Sequence, residues 1–336
     1  MDLSIVLCTW NNCRRLAQTL DAIGRCAVPQ RLRWEVVLVD NNSTDGTSGV
    51  AERFARRLPL QYVEEPRQGL SHARNTGLNR ATGDLVVFAD DDITPCVAWL
   101  EAFWAAYRER STGFCFGGPL VSEFETGPPD PEILPLAGPS VTGLQYGPEA
   151  RVLAPHERFM GANWACPADA LRAVGGFDPR LGLDASLGRR RLGEEWDLME
   201  RLRQHGITSW YLPHAVVRHF VPAAKCGIGY TAANWEGSGV YGASRYAVTT
   251  PFFHRRPHLR AYCQDRRPRL AGAPWHTYVA AARFLARWLG ARMRGSNGYE
   301  AYVSWRFCRG TIRGFRERHD AGASERALTV TTPLRG

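Results

Sequence analysis

The sequence lacks the patterns that mark several common classes of protein. Its nine cysteines are scattered, with no CxxC pair and no regular spacing, which argues against a zinc module and against a secreted disulfide scaffold. It has no run of 18 apolar residues, so no segment has the length and hydropathy of a membrane span. No signal peptide is evident, because Met1-Asp2 leads straight into a predicted strand. We therefore expect a cytoplasmic protein.

Lysine is almost absent, and the positive charge is unevenly placed. Lys225 is the only lysine in 336 residues, of which 44% are hydrophobic and 22% charged, as in globular proteins. Residues 251–336 carry 17 arginines against five acidic residues, a net charge of +12, which leaves −3 for residues 1–250. An arginine-rich segment indicates an anionic partner such as phosphate, acidic lipid headgroups or nucleic acid.

In residues 1–92, short apolar runs alternate with segments whose apolar residues have helical spacing. The runs at 3–8, 34–39, 60–63 and 85–88 are short and unbroken, as are strands buried on both faces of a parallel sheet. Each run leads into polar residues. Because ligands bind beyond the carboxyl ends of strands in open α/β sheets, the pattern predicts a doubly wound half-domain with a nucleotide-binding crevice.

The fourth run leads into three consecutive carboxylates, Asp90, Asp91 and Asp92. Adjacent carboxylates repel one another, so a fold keeps them at a strand end only with positive charge nearby. A hard divalent cation with oxygen ligands is the partner that suits them best. The alternative is a solvated acidic turn that caps the next helix.

The arginine-rich segment contains an amphipathic helical pattern at 276–294. Its apolar face consists of Tyr278, Ala281, Ala282, Leu285, Trp288 and Leu289. Tryptophan and arginine on such a helix suit an anionic membrane surface. The alternative is a helix packed on the catalytic domain with a solvated basic face. We expect no nucleic-acid partner, because no recognised module accompanies the charge.

Seven motifs in order together resemble the family 2 glycosyltransferases, which have the GT-A fold. They are Cys8-Thr9-Trp10-Asn11-Asn12, Val39-Asp40-Asn41-Asn42-Ser43-Thr44-Asp45, Gly69 with Ala73-Arg74-Asn75-Thr76-Gly77, Phe88-Ala89-Asp90-Asp91-Asp92, Gly175-Gly176-Phe177-Asp178, Gly193-Glu194-Glu195-Trp196-Asp197-Leu198, and Pro213 with His219. The resemblance implies an α/β GT-A catalytic domain at 1–222, with a nucleotide-sugar-binding half at 1–117 and an acceptor half at 118–222. Residues 223–336 are then a helical, basic C-terminal region.

The resemblance also implies a reaction. It is the inverting transfer of a sugar from a nucleotide donor, which we expect to be UDP-linked, to a hydroxyl of a glycan or lipid-linked acceptor, with Mn²⁺ or Mg²⁺ as cofactor. Asp90 and Asp92 resemble the DxD pair that holds the metal, with Asp92 as the direct ligand and Asp90 nearer the ribose. Asp91 stays a candidate for the nucleotide-sugar site, because three aspartates in a row leave the register ambiguous by one residue. His219 resembles a histidine that completes the metal sphere in some relatives, although a lone histidine after a strand is more often structural.

On the nucleotide side, Asp40 resembles the carboxylate that accepts a hydrogen bond from N3–H of the base. An Asx turn is its alternative. Thr9 would lie beside the same base. Arg74 and Asn75 would contact the base or the diphosphate. The alternative for Arg74 is an internal partner of the acidic cluster, and both roles can hold together because a guanidinium also reduces the repulsion between carboxylates.

On the acceptor side, Glu195 resembles the general base, with Glu194 beside the acceptor. The family usually has Glu-Asp at these two positions, so Glu195 is one methylene longer than expected. The alternative is an acidic first helical turn stabilised by the helix dipole. Trp164 and Trp196 would stack on sugar rings, or else belong to the core.

Two other functions compete with this interpretation. A nucleotidyltransferase shares an acidic cation site, but here the first strand leads into Thr9-Trp10-Asn11-Asn12 rather than a glycine-rich phosphate loop. A non-catalytic sugar-nucleotide sensor or scaffold would keep the fold without the base, and the departure at Glu195 keeps this alternative open.

Overall fold

The computed structural model describes residues 1–110, 113–188, 190–244 and 256–330, with side chains to residue 320. Parts of the predicted C-terminal region, 245–255 and 331–336, lie outside the described residues. The described residues form two compact units. The first holds Met1–Pro129, Ala137–Gly188 and Gly193–Cys226, and the second holds Asp130–Leu136, 190–192 and the residues from Gly227 onward.

The first unit contains an eight-stranded, mostly parallel sheet. Its strands are β1 (Leu3–Thr9), β2 (Trp34–Asp40), β3 (Leu60–Glu64), β4 (Leu85–Asp90), β6 (Phe114–Gly117), β8 (Arg151–Val152), β9 (Trp164–Pro167) and β10 (Thr208–Tyr211). Their spatial order is β3-β2-β1-β4-β9-β6-β10-β8. The four N-terminal strands are parallel neighbours, and β9 runs antiparallel to both β4 and β6. The carboxyl ends of β1, β2 and β4 therefore meet at one edge, because parallel strands end on the same side.

Helices cover both faces of this sheet. The helices of the first unit are α1 (Cys13–Ile23), α2 (Thr47–Ala55), α3 (Leu70–Arg80), α4 (Trp99–Arg110), α5 (Pro139–Thr142), α6 (Ala168–Ala173) and α7 (Glu194–Gln204). Alternate residues of β1 enter opposite cores, Ile5 with α1, α2 and α4, and Val6 with α3, α6 and α7. All seven residues of β1 are buried. The predicted doubly wound α/β fold is confirmed.

A three-stranded sheet adjoins the end of β4. It consists of β5 (Ile93–Pro95), β7 (Leu120–Phe124) and β11 (Val217–Val221), in the order β5-β11-β7. His219 pairs with Ile93 across this sheet, and the Phe220 amide donates to the carbonyl oxygen of Asp92 at 2.9 Å. This pairing brings the end of β11 to the aspartate turn.

The second unit is mainly helical. It holds α8 (Ile228–Ser244), α9 (Pro257–Arg260), α10 (Trp275–Met293), α11 (Tyr299–Val330) and the strands β12 (Arg269–Leu270) and β13 (Ala273–Pro274). Glycines let α8 and α11 pack closely, since a Cβ at Gly310 would collide with the backbone of Glu236. The Glu236 carboxylate is buried and accepts hydrogen bonds from Arg306 and Arg313. Among the described residues, no helix is both long enough and apolar enough to cross a bilayer.

Candidate active site

The three aspartates at the end of β4 have different partners. Asp91 accepts hydrogen bonds on both carboxylate oxygens, from the Thr9 hydroxyl at 2.6 Å and from the Asn12 amide at 2.8 Å. Burial and the charge of Asp92 raise the pKa of Asp91 to about 7. Asp91 therefore ties the end of β1 to the end of β4, while Asp90 and Asp92 contact other groups.

Asp92 faces a histidine and a lysine. Its Oδ1 lies 3.4 Å from Nε2 of His219, and its Oδ2 lies 3.5 Å from Nζ of Lys225. Burial lowers the pKa of His219, and the lysine charge acts in the same direction while the carboxylate opposes it. The imidazole is therefore neutral near pH 7 and offers a nitrogen lone pair.

Arg74 joins the end of β4 to the start of α7. Its guanidinium is buried and contacts Asp90 at 3.3 Å, Glu194 at 3.1 Å and Glu195 at 3.2 Å. One nitrogen, Nη2, makes the contacts to both Asp90 and Glu195. Arg74 is thus the internal partner of the acidic cluster, the second of its two predicted roles.

Glu195 lies in the first turn of α7, where its side chain is 15% exposed. Burial and the charge of Glu194 raise the pKa of Glu195 to about 8, although Arg74 acts in the opposite direction. A Cβ at Gly161 would collide with the Glu195 carboxylate and the Arg74 guanidinium. A carboxyl group whose pKa lies close to the working pH is suited to accept a proton.

The alternative interpretation, an acidic first turn of α7 stabilised by the helix dipole, also agrees with the observed contacts. Glu194, Glu195 and Asp197 all lie in the first helical turn, where the helix dipole stabilises negative charge. Glu194 is buried and pairs with Arg74, and its place beside the acceptor stays a prediction. Asp197 pairs with Arg201 within the helix at 2.9 Å. Glu195 combines a contact to Arg74 with a raised pKa.

The chemistry of Asp92 and His219 fits a divalent cation. The buried Nδ1 of His219 has no hydrogen-bond partner among the described residues, and the carboxylate and neutral imidazole are close enough to share one ion. Among the residues that the structure describes, no group of three or more His, Cys, Asp or Glu side chains is arranged to hold a metal ion. Two protein ligands suit an ion that also binds substrate phosphates, which is a common arrangement for Mg²⁺.

Comparison with known proteins finds glycosyltransferases. Residues 4–158 match the model described as Glycosyl transferase family 2. This part of the chain is therefore similar to the family 2 glycosyltransferases. The chain is 27% identical over 241 residues to the succinoglycan biosynthesis protein ExoM of Rhizobium meliloti, with 71% of this chain and 73% of that protein covered. It is 33% identical over 101 residues to the glycosyltransferase AglE of Haloferax volcanii, with 30% of this chain and 33% of that protein covered.

One further relative and two solved structures are also similar to this chain. A validoxylamine A glucosyltransferase of Streptomyces hygroscopicus is 28% identical over 231 residues, 61% of this chain and 52% of that protein. The chain thus spans a third to three quarters of these relatives. Two solved structures share the fold. They are a Pyrobaculum calidifontis mannosyltransferase with GDP-Man and Mn²⁺ (TM-score 0.57, 21% identity, 94% and 87% coverage) and S. aureus TarS 1-349 with UDP-GlcNAc (0.55, 14%, 96% and 92%). The predicted GT-A fold is confirmed.

The carboxyl end of β2 forms the predicted turn. Asp40 is buried at the end of β2, where it accepts hydrogen bonds from the Ser43 amide at 2.9 Å and the Tyr62 hydroxyl at 2.8 Å. The Asx-type alternative is therefore present. Each carboxylate oxygen has a second lone pair, so these contacts leave acceptor capacity for a base. Thr9 is buried beside Asp91, to which its hydroxyl donates.

Two predicted site residues have structural roles. The side-chain amide of Asn75 donates to the Phe177 carbonyl and accepts from the Phe177 amide, both at 2.8 Å. It therefore fixes the Gly175–Phe177 turn, and its contact with a nucleotide stays a prediction. Trp164 is completely buried and stacks on Phe88 at 4.9 Å between ring centroids. The prediction that Trp164 stacks on a sugar is wrong, because its ring faces are covered by the core. Trp196 is half-buried in the first turn of α7.

Three contributors to the site were not predicted from the sequence. Asn12 holds Asp91, Gly161 makes room for Glu195, and Lys225 approaches Asp92. Asn12 stands in the first family motif and Lys225 is the only lysine in the chain, so both carried a sequence signal. Gly161 carried none, because its importance comes from a close approach that only the fold creates.

Proposed function

We propose that this protein transfers a sugar from a nucleoside diphosphate donor, UDP-linked in the first instance, to a hydroxyl of a glycan or lipid-linked acceptor, with inversion at the anomeric carbon. The observation that carries the proposal is the shared guanidinium. Arg74 contacts Asp90, on the donor side at the end of β4, and Glu195, the candidate base at the start of α7, through the same nitrogen. Asp90, proposed for the donor, and Glu195, proposed as the base, therefore belong to one hydrogen-bonded group.

Glu195 would act as the general base. Its carboxylate takes the proton from the acceptor hydroxyl while that oxygen attacks the anomeric carbon on the face opposite the diphosphate. The carbon–oxygen bond to the diphosphate breaks, and the diphosphate leaves with the electron pair. A proton acceptor with a pKa of about 8 is strong enough to assist this step near neutral pH and is still deprotonated in a useful fraction of molecules.

The donor would lie at the ends of β1, β2 and β4. Asp40 accepts from the base, Thr9 borders it, and Asp90 faces the ribose. A divalent cation, Mn²⁺ or Mg²⁺, held by Asp92 and His219 would neutralise charge that develops on the leaving diphosphate. The neutral imidazole and the carboxylate pair support this assignment. Trp196 stays the candidate for contact with the sugar or acceptor.

Two variants test the proposed chemistry. Glu195→Gln keeps the shape and removes the charge, so UDP affinity should change little while turnover falls by about 10²–10⁴-fold, the usual contribution of a positioned base. Glu195→Asp should recover part of the rate. Asp197→Asn is the control, because that acid pairs within α7. Turnover at the wild-type rate in Glu195→Gln would make Glu195 only an acid at the helix start and refute its role as base. Absence of donor turnover in the wild-type protein would instead favour the non-catalytic sensor or scaffold.

The cation is tested separately by thermal shift. UDP should raise the melting temperature more with Mn²⁺ than with EDTA, because a ligand that binds only the folded state stabilises it. Asp92→Asn should remove most of this difference. Equal stabilisation by UDP in Mn²⁺ and in EDTA would contradict the cation assignment. The stereochemistry is tested separately, because proton NMR of the product's anomeric signal distinguishes inversion from retention.

We also propose that the C-terminal end of α10 contacts an anionic membrane. The apolar face predicted for this helix is partly covered within the second unit, since Trp288 stacks on Trp305 at 5.9 Å. Beyond it, Leu289 is 49% exposed and Met293 is 84% exposed, with several exposed arginines nearby. Exposed apolar side chains among arginines suit the interface of acidic lipids.

A further inference from the structure

Lys225 lies beside Asp92, so its positive charge acts on the aspartate cluster. It ends a 3₁₀ turn, Ala223–Lys225, that follows β11. The turn is held by the Ala223 amide, which donates to the Glu125 carboxylate at 3.0 Å. From there the ammonium reaches Asp92 Oδ2 at 3.5 Å, on the side of the carboxylate opposite His219. The Lys225 side chain is 27% exposed, so the ammonium group borders both the acidic cluster and solvent.

The contact between Lys225 and Asp92 is loose. Charge-assisted N–H···O bonds are usually about 2.7–2.9 Å long, and this one is 3.5 Å. An ammonium on a flexible four-carbon stem can be redirected, whereas a guanidinium would hold a carboxylate in a fixed two-pronged arrangement. The chain uses arginine for its other long basic side chains, and Arg74 in the same site is fully committed to three carboxylates.

We propose that Lys225 binds the diphosphate of the donor and couples that binding to the divalent cation. In the nucleotide-free protein, its ammonium partly neutralises Asp92. When a cation takes Asp92, the ammonium is displaced toward the incoming diphosphate, which carries the compensating negative charge. The inference rests on the proposed function, since it takes a nucleoside diphosphate as the ligand of this site.

Two consequences follow from the position of the ammonium. Lys225 and a divalent cation compete for Asp92 when no nucleotide is present, because like charges repel at this distance. The competition ends once a diphosphate offers Lys225 another partner. Cation and nucleotide should therefore each strengthen the binding of the other, and the coupling must be the same in both directions.

The test measures binding rather than turnover. Lys225→Met removes the charge and keeps most of the stem, and Lys225→Arg keeps the charge. Arg218→Met is the matched control, because Arg218 is an exposed cation on β11 next to His219 in sequence. Titration calorimetry gives the affinities of UDP, GDP and inorganic pyrophosphate with Mn²⁺ and with EDTA. Electron paramagnetic resonance of free Mn²⁺ gives the affinity for the cation alone, and circular dichroism checks the fold of each variant.

In Lys225→Met, UDP and pyrophosphate affinity should fall by about 10–100-fold, the loss of one charge-assisted hydrogen bond. Affinity for Mn²⁺ alone should rise by about threefold to tenfold, because a competing charge is removed. Lys225→Arg should retain part of the nucleotide affinity, and Arg218→Met should match the wild type. Nucleotide affinity within twofold of wild type in Lys225→Met would overturn the inference and leave the proposed function standing. If the wild type binds neither UDP nor GDP, the proposed function fails and this inference fails with it.

Discussion

Removing Arg74 should destabilise the first unit strongly and in a pH-dependent way. In Arg74→Met, three carboxylates lose the cation that they share. The largest loss is expected at Glu194, whose side chain is 7% exposed, and the smallest at Asp90, whose side chain is 34% exposed and screened by solvent. Removal of one partner from a buried ion pair typically costs about 3–5 kcal/mol, a large share of the roughly 5–15 kcal/mol that stabilises a domain.

The direction of the pH dependence follows from Glu195. Its pKa is about 8 in the folded protein against 4.5 for a free glutamate side chain, so the folded state binds more protons and stability falls as the pH rises between these values. Arg74 lowers this pKa, so its removal raises the pKa further and extends the fall in stability above pH 8. Every tenfold increase in the proton affinity of the folded state corresponds to about 1.4 kcal/mol. The loss in Arg74→Met should therefore be greater at pH 9 than at pH 7.

Urea unfolding at pH 7 and pH 9, followed by tryptophan fluorescence, measures the loss. Hydrogen exchange of the β4 amides assigns the transition to the first unit. Arg33→Met is the control, because Arg33 pairs with Asp2 through a side chain that is 71% exposed, and it should change stability far less. Arg74→Lys should recover only part of the loss, since an ammonium cannot span three carboxylates. A loss below about 1 kcal/mol in Arg74→Met, or a smaller loss at pH 9 than at pH 7, would refute the reasoning.

Three further predictions concern activity and membrane binding. Because Glu195 must be deprotonated to act as a base, kcat/KM should rise by about tenfold per pH unit below pH 8 and level off above it, and a flat profile would contradict the assignment. Gly161→Ala should lower turnover by about 10²-fold with UDP affinity unchanged, since its methyl group displaces the Glu195 carboxylate. Gly49→Ala has open space at the same atom and should be neutral. Leu289→Glu with Met293→Glu should abolish co-sedimentation with phosphatidylserine vesicles at low salt and leave the melting temperature unchanged, whereas undiminished sedimentation would exclude this end of α10 as the contact.

The sequence by itself determined the sheet and the edge at which the site lies. Short unbroken apolar runs are a local property, and each predicted run in residues 1–92 is a strand of the first unit. Polar residues that follow parallel strands must meet at one edge, whatever the details of packing. For this reason Asp40, Asp90 and Asp92 could be assigned to the site before their neighbours were known. The family motifs also located Glu195 at the start of a helix, where the structure has it.

Only the tertiary structure decided which partner each side chain has. The hydroxyl that holds Asp91 comes from 82 residues earlier, and the guanidinium that holds Glu195 comes from 121 residues earlier. Lys225 is 133 residues from the carboxylate that it approaches. Such contacts depend on the order of the strands and on the antiparallel pairing of β11 with β5. Local sequence patterns encode neither. Burial of Trp164 has the same origin, because a tryptophan at the start of a short strand becomes a core residue only when β9 pairs between β4 and β6.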